Sequence, residues 1–222
     1  MSLAAASGSG DVAHPSTTMA CAMESSPGDI AAALRAVLPP APAQLPQGFG
    51  RPAGVLLPLV AGPGPLSLVF TERTAELSRH AGEISFPGGM PESGDHGLAH
   101  TALREAHEEI GVAPEAVEIL GALAPLPTFV TGILIVPFVG LLHERPEFTP
   151  NPAEIAEIIE ASLAELDQAE AEVEWDIGGR TWTGHTYDVG GKVIWGATGR
   201  ILKDFLDLVR REAPWMLRTR AA

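Results

Sequence analysis

Three glutamates, two of them one helical turn on from the first, stand in the run Arg104-Glu105-Ala106-His107-Glu108-Glu109-Ile110-Gly111, and Phe86-Pro87-Gly88-Gly89 precedes it. Side chains three and four positions apart share one face of a helix. A helix here would therefore direct Glu105, Glu108 and Glu109 into one small volume. Like charges held that close raise each other's pKa and destabilise an isolated helix by about a few tenths of a kcal/mol per pair, unless a cation lies among them. Hard oxygen donors select Mg2+ or Mn2+. Mg2+ takes roughly one or two protein carboxylates, keeps several waters and leaves positions for substrate phosphates, which is what a diphosphate hydrolase needs. The competing reading is a solvated helix face on which Arg104 and His107 soften the charge.

A second group of residues lies upstream, Val69-Phe70-Thr71-Glu72-Arg73-Thr74 and then Arg79-His80-Ala81-Gly82-Glu83-Ile84-Ser85-Phe86-Pro87-Gly88-Gly89. The order of a Gly-Gly pair, a short acidic loop and Arg-Glu-x-x-Glu-Glu-x-Gly resembles the Nudix hydrolase family, with the box running from Gly89 through Val112. Gly88 and Gly89 would allow a tight turn into the box helix, and Gly111 would end it as a C-terminal cap. Asp95 stands where the box usually has a glutamate, and one extra residue separates it from Arg104. Its alternative role is the N-cap of the box helix. The upstream group is similar to the motif that marks the coenzyme A diphosphatase branch, which tolerates the longer box. One arginine of that motif falls on Ser78, with Arg79 beside it. Val117-Glu118-Ile119-Leu120-Gly121, Val136-Pro137-Phe138-Val139-Gly140 and Ile194-Trp195-Gly196-Ala197-Thr198 extend the likeness to about residues 53 to 210.

The resemblance implies an α/β protein with the Nudix fold, a mixed β-sheet sandwiched between α-helices. It implies Mg2+ or Mn2+ held by Glu105, Glu108 and Glu109, one of which is alternatively the general base, with Arg104 orienting a box carboxylate through a salt bridge. Glu154, in a later loop, is the candidate for a further ligand, with Glu157 second. Arg73, Arg79, His80, Gly82, Phe86, Gly88 and Gly89 are the expected substrate-binding residues, and His107 is expected to face solvent. The implied reaction is hydrolysis of coenzyme A, or a derivative, to adenosine 3',5'-bisphosphate and 4'-phosphopantetheine or its derivative. Pro125 and Pro127 stand where ADP-ribose hydrolases often carry a proline, which keeps a nucleoside diphosphate derivative as the rival substrate. A binding module without turnover is a second rival, against which the full set of glutamates speaks.

Composition narrows the partners. The 222 residues carry a formal charge of -14 and a pI near 4.8, unlike the basic surface of a nucleic-acid binder. An anionic small-molecule substrate would need a cation and local arginines to approach such a protein. Cys21 is the only cysteine, so neither an intramolecular disulfide nor a thiolate metal site is available, and a reducing cytoplasm is the expected compartment. The first residues lack the basic start and apolar core of a secretory signal. The longest apolar stretch, residues 132 to 142, is too short to span a bilayer and contains Pro137, so no membrane is expected. The C-terminus does not resemble a peroxisomal address.

The elements that must position the glutamates follow from pattern. Residues 1–25, rich in Ala, Ser and Gly, are expected to be disordered, with Met19 and Met23 as alternative starts that an intact mass would decide. Residues 26–52 read as a helix opened by Ser26-Pro27-Gly28-Asp29, stopped by Pro39-Pro40 and followed by a Pro-rich linker. The hydrolase domain is expected over 53–215, about 160 residues, enough for one buried core. Within it, 53–60 and 66–71 read as paired strands, 96–110 as the box helix burying Leu98, Ala102, Ala106 and Ile110, and 117–123 and 132–142 as strands. A short helix over 162–169, strands 182–189 and 192–195 joined at Gly190-Gly191, and a closing helix over 197–211 complete the chain.

Overall fold

The computed structural model describes residues 26–40, 42, 50–75, 82–128, 132–176 and 181–218. The expectations for the tail, for most of the linker and for Arg79 and His80 lie outside these residues. Helix α1 (Pro27–Val37) begins where its capping chemistry places it. The Ser26 hydroxyl accepts from the Asp29 N–H at 3.2 Å, and the Asp29 carboxylate accepts from the Ser26 N–H at 2.9 Å, so the two residues bond each other's backbone reciprocally. The helix stops at Leu38, its C-cap, ahead of Pro39-Pro40.

The main sheet contains β1 (Arg51–Val60), β2 (Ser67–Arg73), β3 (Ile84–Ser85), β4 (Gly88–Gly89), β5 (Val117–Ala122), β6 (Leu126–Pro127), β7 (Ile133–Leu142) and β8 (Ile155–Ser162). Its order is β3-β2-β1-β7-β5, with β4 paired to β1, β6 to β7 and β8 to β2. β1 and β7 run parallel from Arg51 opposite Ile133 to Val60 opposite Leu142, and every other pairing is antiparallel. The sheet is therefore mixed, as expected. A second, antiparallel sheet joins β9 (Glu170–Asp176), β10 (Thr181–Val189) and β11 (Lys192–Ile194) in the order β11-β10-β9, with Gly190 and Gly191 at positive φ in the β10–β11 turn. Helices α2 (Leu98–Ile110), α3 (Leu163–Ala169) and α4 (Gly196–Glu212) complete the fold.

Five strands, β3, β4, β6, β8 and β9, have no counterpart among the sequence expectations, and β1 begins two residues before the expected start. β8 reads Ile-Ala-Glu-Ile-Ile-Glu-Ala-Ser, without the strict alternation that marks a half-buried strand. Pairing along β2 from Ser67 to Arg73 decides its state, because strand formation follows tertiary context more than intrinsic preference.

Each strand of the sheet sends alternate side chains to opposite faces. Leu57, Leu59, Phe70, Val139 and Leu141 meet Ile30 and Leu34 of α1 and Phe205, Leu206 and Val209 of α4 on one side. Leu56, Val69, Val136, Phe138 and Leu142 meet Ala102, Ala106 and Ile110 of α2 on the other. The sheet is thus enclosed between helices. Among the described residues, no helix is long and apolar enough to cross a membrane.

Candidate active site

Helix α2 starts at Leu98, two residues later than the pattern predicts, with Gly97 as an N-cap that offers no side-chain bond. Asp95 is therefore not the cap. Its carboxylate, 1% exposed, accepts from the Glu92 N–H, the Thr101 hydroxyl and Arg104, and pairs with the His100 Nδ1 at 2.9 Å. The Arg104 bond, reinforced by the Glu92 N–H, holds the Asp95 carboxyl well below the usual carboxylate range, and Asp95 in turn raises the guanidinium's pKa.

Arg104 spends its remaining donors on the site. It reaches Glu108 Oε2 at 2.8 Å, Glu105 Oε1 at 3.0 Å and the Met90 carbonyl at 3.1 Å. A planar guanidinium fixed on one side by a buried aspartate orients what it touches on the other. Arg104 thus bridges Asp95 to two glutamates of the helix.

Gly88 and Gly89 do not form the expected turn into the helix. They form β4, with Gly89 opposite Gly54 and Gly88 opposite Val55 on β1, and eight residues then lead to α2. Their role is proximity. A Cβ at Gly89 would lie 2.3 Å from Glu105 Oε1, and the Gly88 N–H donates to Glu109 Oε2 at 3.3 Å. A Cβ at Gly54 would lie 2.2 Å from the Leu98 carbonyl oxygen, so bare backbone on β1 and β4 lets α2 and its carboxylates press onto the sheet.

The other end of α2 recruits the later loop. Gly111 caps the helix in the left-handed region, φ 74°, as expected. The Glu109 and Ile110 carbonyls accept from the N–H groups of Asn151 and Thr149, each at 3.0 Å. These bonds satisfy helix-end acceptors and carry the chain to Glu154 beside the site. Glu154's carbonyl accepts from the Thr74 N–H at 2.9 Å, and Arg73 at the end of β2 lies between two carboxylates, 3.8 Å from Glu109 Oε1 and 3.9 Å from Glu154 Oε2.

Glu105, Glu109, Arg73, Glu154, Gly88 and Gly89 are thus brought together. Glu108 is half-exposed and paired with Arg104. Among the described residues, no three His, Cys, Asp or Glu side chains are disposed to hold a metal ion as they lie. As they lie, Arg104 draws Glu105 and Glu108 to itself while Glu109 turns toward Gly88 and Arg73. Glu157 is also elsewhere, with its carboxylate 2.6 Å from the Lys192 ammonium, which also pairs with Glu72. Phe86 is a core residue, 3% exposed with its ring centroid 4.7 Å from that of Phe70, so it offers no face to a substrate. Gly82, at φ 72°, donates its N–H to the Arg73 carbonyl across the β2–β3 connection, and His107 is exposed.

The donor chemistry fits a hard divalent cation. Burial, and then the charge of Glu105, pushes the Glu109 carboxyl up to about 8, only partly offset by Arg73 and the Gly88 N–H, with Glu154 adding to the rise. Burial raises Glu105 as well, against the opposing pull of Arg104. Carboxylates short of positive charge and rich in free oxygen lone pairs are what Mg2+ or Mn2+ binds. Asp95's buried network and the docking of Thr149 and Asn151 have no local sequence signal, since each joins residues that meet only in the fold.

A family model of the NUDIX domain matches residues 50–182. An uncharacterized Nudix hydrolase NudL of Photorhabdus laumondii is 38% identical over 175 residues, covering 78% of this chain and 92% of that protein. A NudL of Pectobacterium atrosepticum, also uncharacterized, is 44% identical over 115 residues, covering 52% of this chain and 59% of its own length. The NUDIX domain of Shewanella oneidensis NrtR, solved with ADP ribose, superposes with a TM-score of 0.48 at 15% identity over 76% of this chain and 92% of that one. The matched span holds β1 through the start of β10, including α2 and the loop that bears Glu154, and the chain therefore belongs to the Nudix hydrolase family, the diphosphatases that cleave nucleotide-like small molecules.

Proposed function

We propose that the protein hydrolyses the diphosphate linkage of coenzyme A or a coenzyme A derivative with Mg2+ or Mn2+, releasing adenosine 3',5'-bisphosphate and 4'-phosphopantetheine or its derivative. The observation that carries the hydrolytic part is the buried carboxylate of Glu109 and the partly buried one of Glu105, pressed against the Gly88-Gly89 backbone with Arg73 and Glu154 alongside. Glu105, Glu108, Glu109 and Glu154 are the residues that would hold the metal. A divalent ion held there would supply a lowered pKa for bound water and neutralisation of charge on phosphoryl oxygens.

The chain's own residues do the remaining work. Arg104 keeps Glu105 and Glu108 oriented through its grip on Asp95. In the metal-free protein, burial pushes the Glu109 carboxyl up to about 8, so an ion held there would displace a proton. Arg73 makes only long contacts with its two carboxylates, leaving its planar fork for a substrate phosphate.

The coenzyme A assignment rests on the upstream motif that includes Arg73, Gly82, Gly88 and Gly89. ADP-ribose or another nucleoside diphosphate derivative is the second reading, favoured by Pro125 and Pro127, the latter in β6 against β7. Coenzyme A, ADP-ribose, NADH and dinucleoside polyphosphates offered in parallel, with products identified by mass, test the choice. The expected result is adenosine 3',5'-bisphosphate from coenzyme A as the fastest reaction, and faster cleavage of ADP-ribose would transfer the assignment.

A further inference from the structure

The geometry points to a second metal site, formed by His96 and His100 at the start of α2, which takes an imidazole-seeking ion of the Zn2+ class rather than Mg2+. Both side chains are exposed, and their ring centroids lie 5.4 Å apart. Two imidazoles bound to one tetrahedral ion at metal–nitrogen distances of about 2.0–2.1 Å place their ring centres roughly 5–5.5 Å apart. The pair already has that spacing.

A second observation distinguishes this pair from two chance surface histidines. His100 Nδ1 is 2.9 Å from Asp95 Oδ1, and that carboxylate is itself held by Thr101 and Arg104. A carboxylate behind one ring nitrogen fixes the tautomer and leaves the other nitrogen, Nε2, as a basic donor. This is the outer-shell arrangement that supports metal-binding histidines and raises their basicity. Two waters would complete a tetrahedral shell. Because imidazole suits Zn2+, Cu2+ and Ni2+ while carboxylate and water suit Mg2+, this site and the acidic cluster sort ions by chemistry. They share a neighbour, since Arg104 touches Asp95 on one side and Glu105 and Glu108 on the other.

The test is a calorimetric Zn2+ titration in excess Mg2+, with Co2+ absorption as a report of nitrogen ligation, in a Cys21→Ser background that removes the thiol. Binding at one place per chain is expected, weakened in His96→Gln and in His100→Gln by at least about the 10–100-fold that loss of an outer-shell partner alone costs. His96→Gln is the decisive variant, because it leaves the bond between His100 and Asp95 in place. Unchanged Zn2+ affinity in that variant, or loss of the Zn2+ event as Mg2+ rises, would overturn the site. Hydrolysis in Mg2+ alone is read separately. An inactive protein that still binds Zn2+ through His96 would contradict the proposed reaction and leave this site standing.

Discussion

The two faces of the main sheet are packed for different ends. On the α1/α4 face, Phe70, Phe86, Phe205 and many leucines fill the interlayer space, and the side chains there are large, apolar and almost fully enclosed. On the α2 face, the helix contributes Ala102 and Ala106, and Gly54 beneath it has no side chain at all. Small residues bring the helix axis close to the sheet, and that closeness lets Glu105 and Glu109 reach Gly88 and Gly89. One face spends its volume on burial. The other gives up burial for the placement of charge, and a helix that carries a buried carboxylate is less stable for it.

If that contrast is right, substitutions on the two faces should separate activity from stability. The largest effect is expected for Glu109→Gln, which should cost several kcal/mol of transition-state stabilisation, about a thousandfold or more in kcat, with folding unimpaired. Glu108→Gln should also cost activity, and near-normal turnover in either variant would remove that residue from the metal set. Phe205→Ala, on the opposite face, should lower stability by about 3–5 kcal/mol in denaturant unfolding. Under conditions where it remains folded, its kcat should stay close to wild type. Equal losses of activity and stability in both variants would erase the distinction between the faces.

Gly54→Ala sharpens the comparison. Its new methyl meets the Leu98 carbonyl oxygen, which belongs to backbone and cannot rotate aside, so α2 must shift at a cost of about 1–3 kcal/mol. Turnover should fall by more than the stability loss explains, because the shift moves both Glu105 and Glu109. Arg104→Ala should weaken Mn2+ binding by about 10–100-fold, as loss of an outer-shell partner does. Arg104→Lys should recover only part, since an ammonium cannot span Asp95, Glu105 and Glu108 together.

The last expected effect is one of pH. Glu109 has a folded-state pKa of about 8 against an ordinary 4.5. The native chain keeps a proton there that the unfolded chain releases, so this contribution is complete below about 4.5 and is lost as pH rises toward 8. Thermal unfolding in chelator should therefore show a Tm that declines over that window, and Glu109→Gln should flatten the decline. A Tm equally steep in the variant would place the proton elsewhere.

The sequence made the box helix and its cap legible because these are local. Alanines at helical spacing, Gly111 after Ile110 and the Glu-x-x-Glu-Glu run are all read within a few turns of chain. The Ser26–Asp29 start of α1 and the Gly190-Gly191 turn were readable for the same reason. What escaped is non-local. The alternative reading of Asp95 as a cap comes from its place just before a helix, yet its fate is set by Arg104 nine residues on. Phe86 sits in a motif but turns into the core because β3 pairs with β2 and brings it against Phe70. Glu157 and Glu154 are three residues apart and indistinguishable by composition. Which of them reaches the site depends on Thr149 and Asn151 docking on the end of α2 and on Lys192 arriving from a different sheet.

The most direct test is a Mn2+ titration of the wild-type protein and Glu109→Gln near pH 7, by calorimetry in buffers of different ionisation enthalpy. If Glu109 holds the ion, the wild type binds Mn2+ with release of the proton that burial keeps on that carboxyl, and the variant loses both affinity and proton release. Mn2+ bound by both proteins with equal affinity, and with no proton released, would contradict the assignment of the acidic side of α2 as the metal-holding surface.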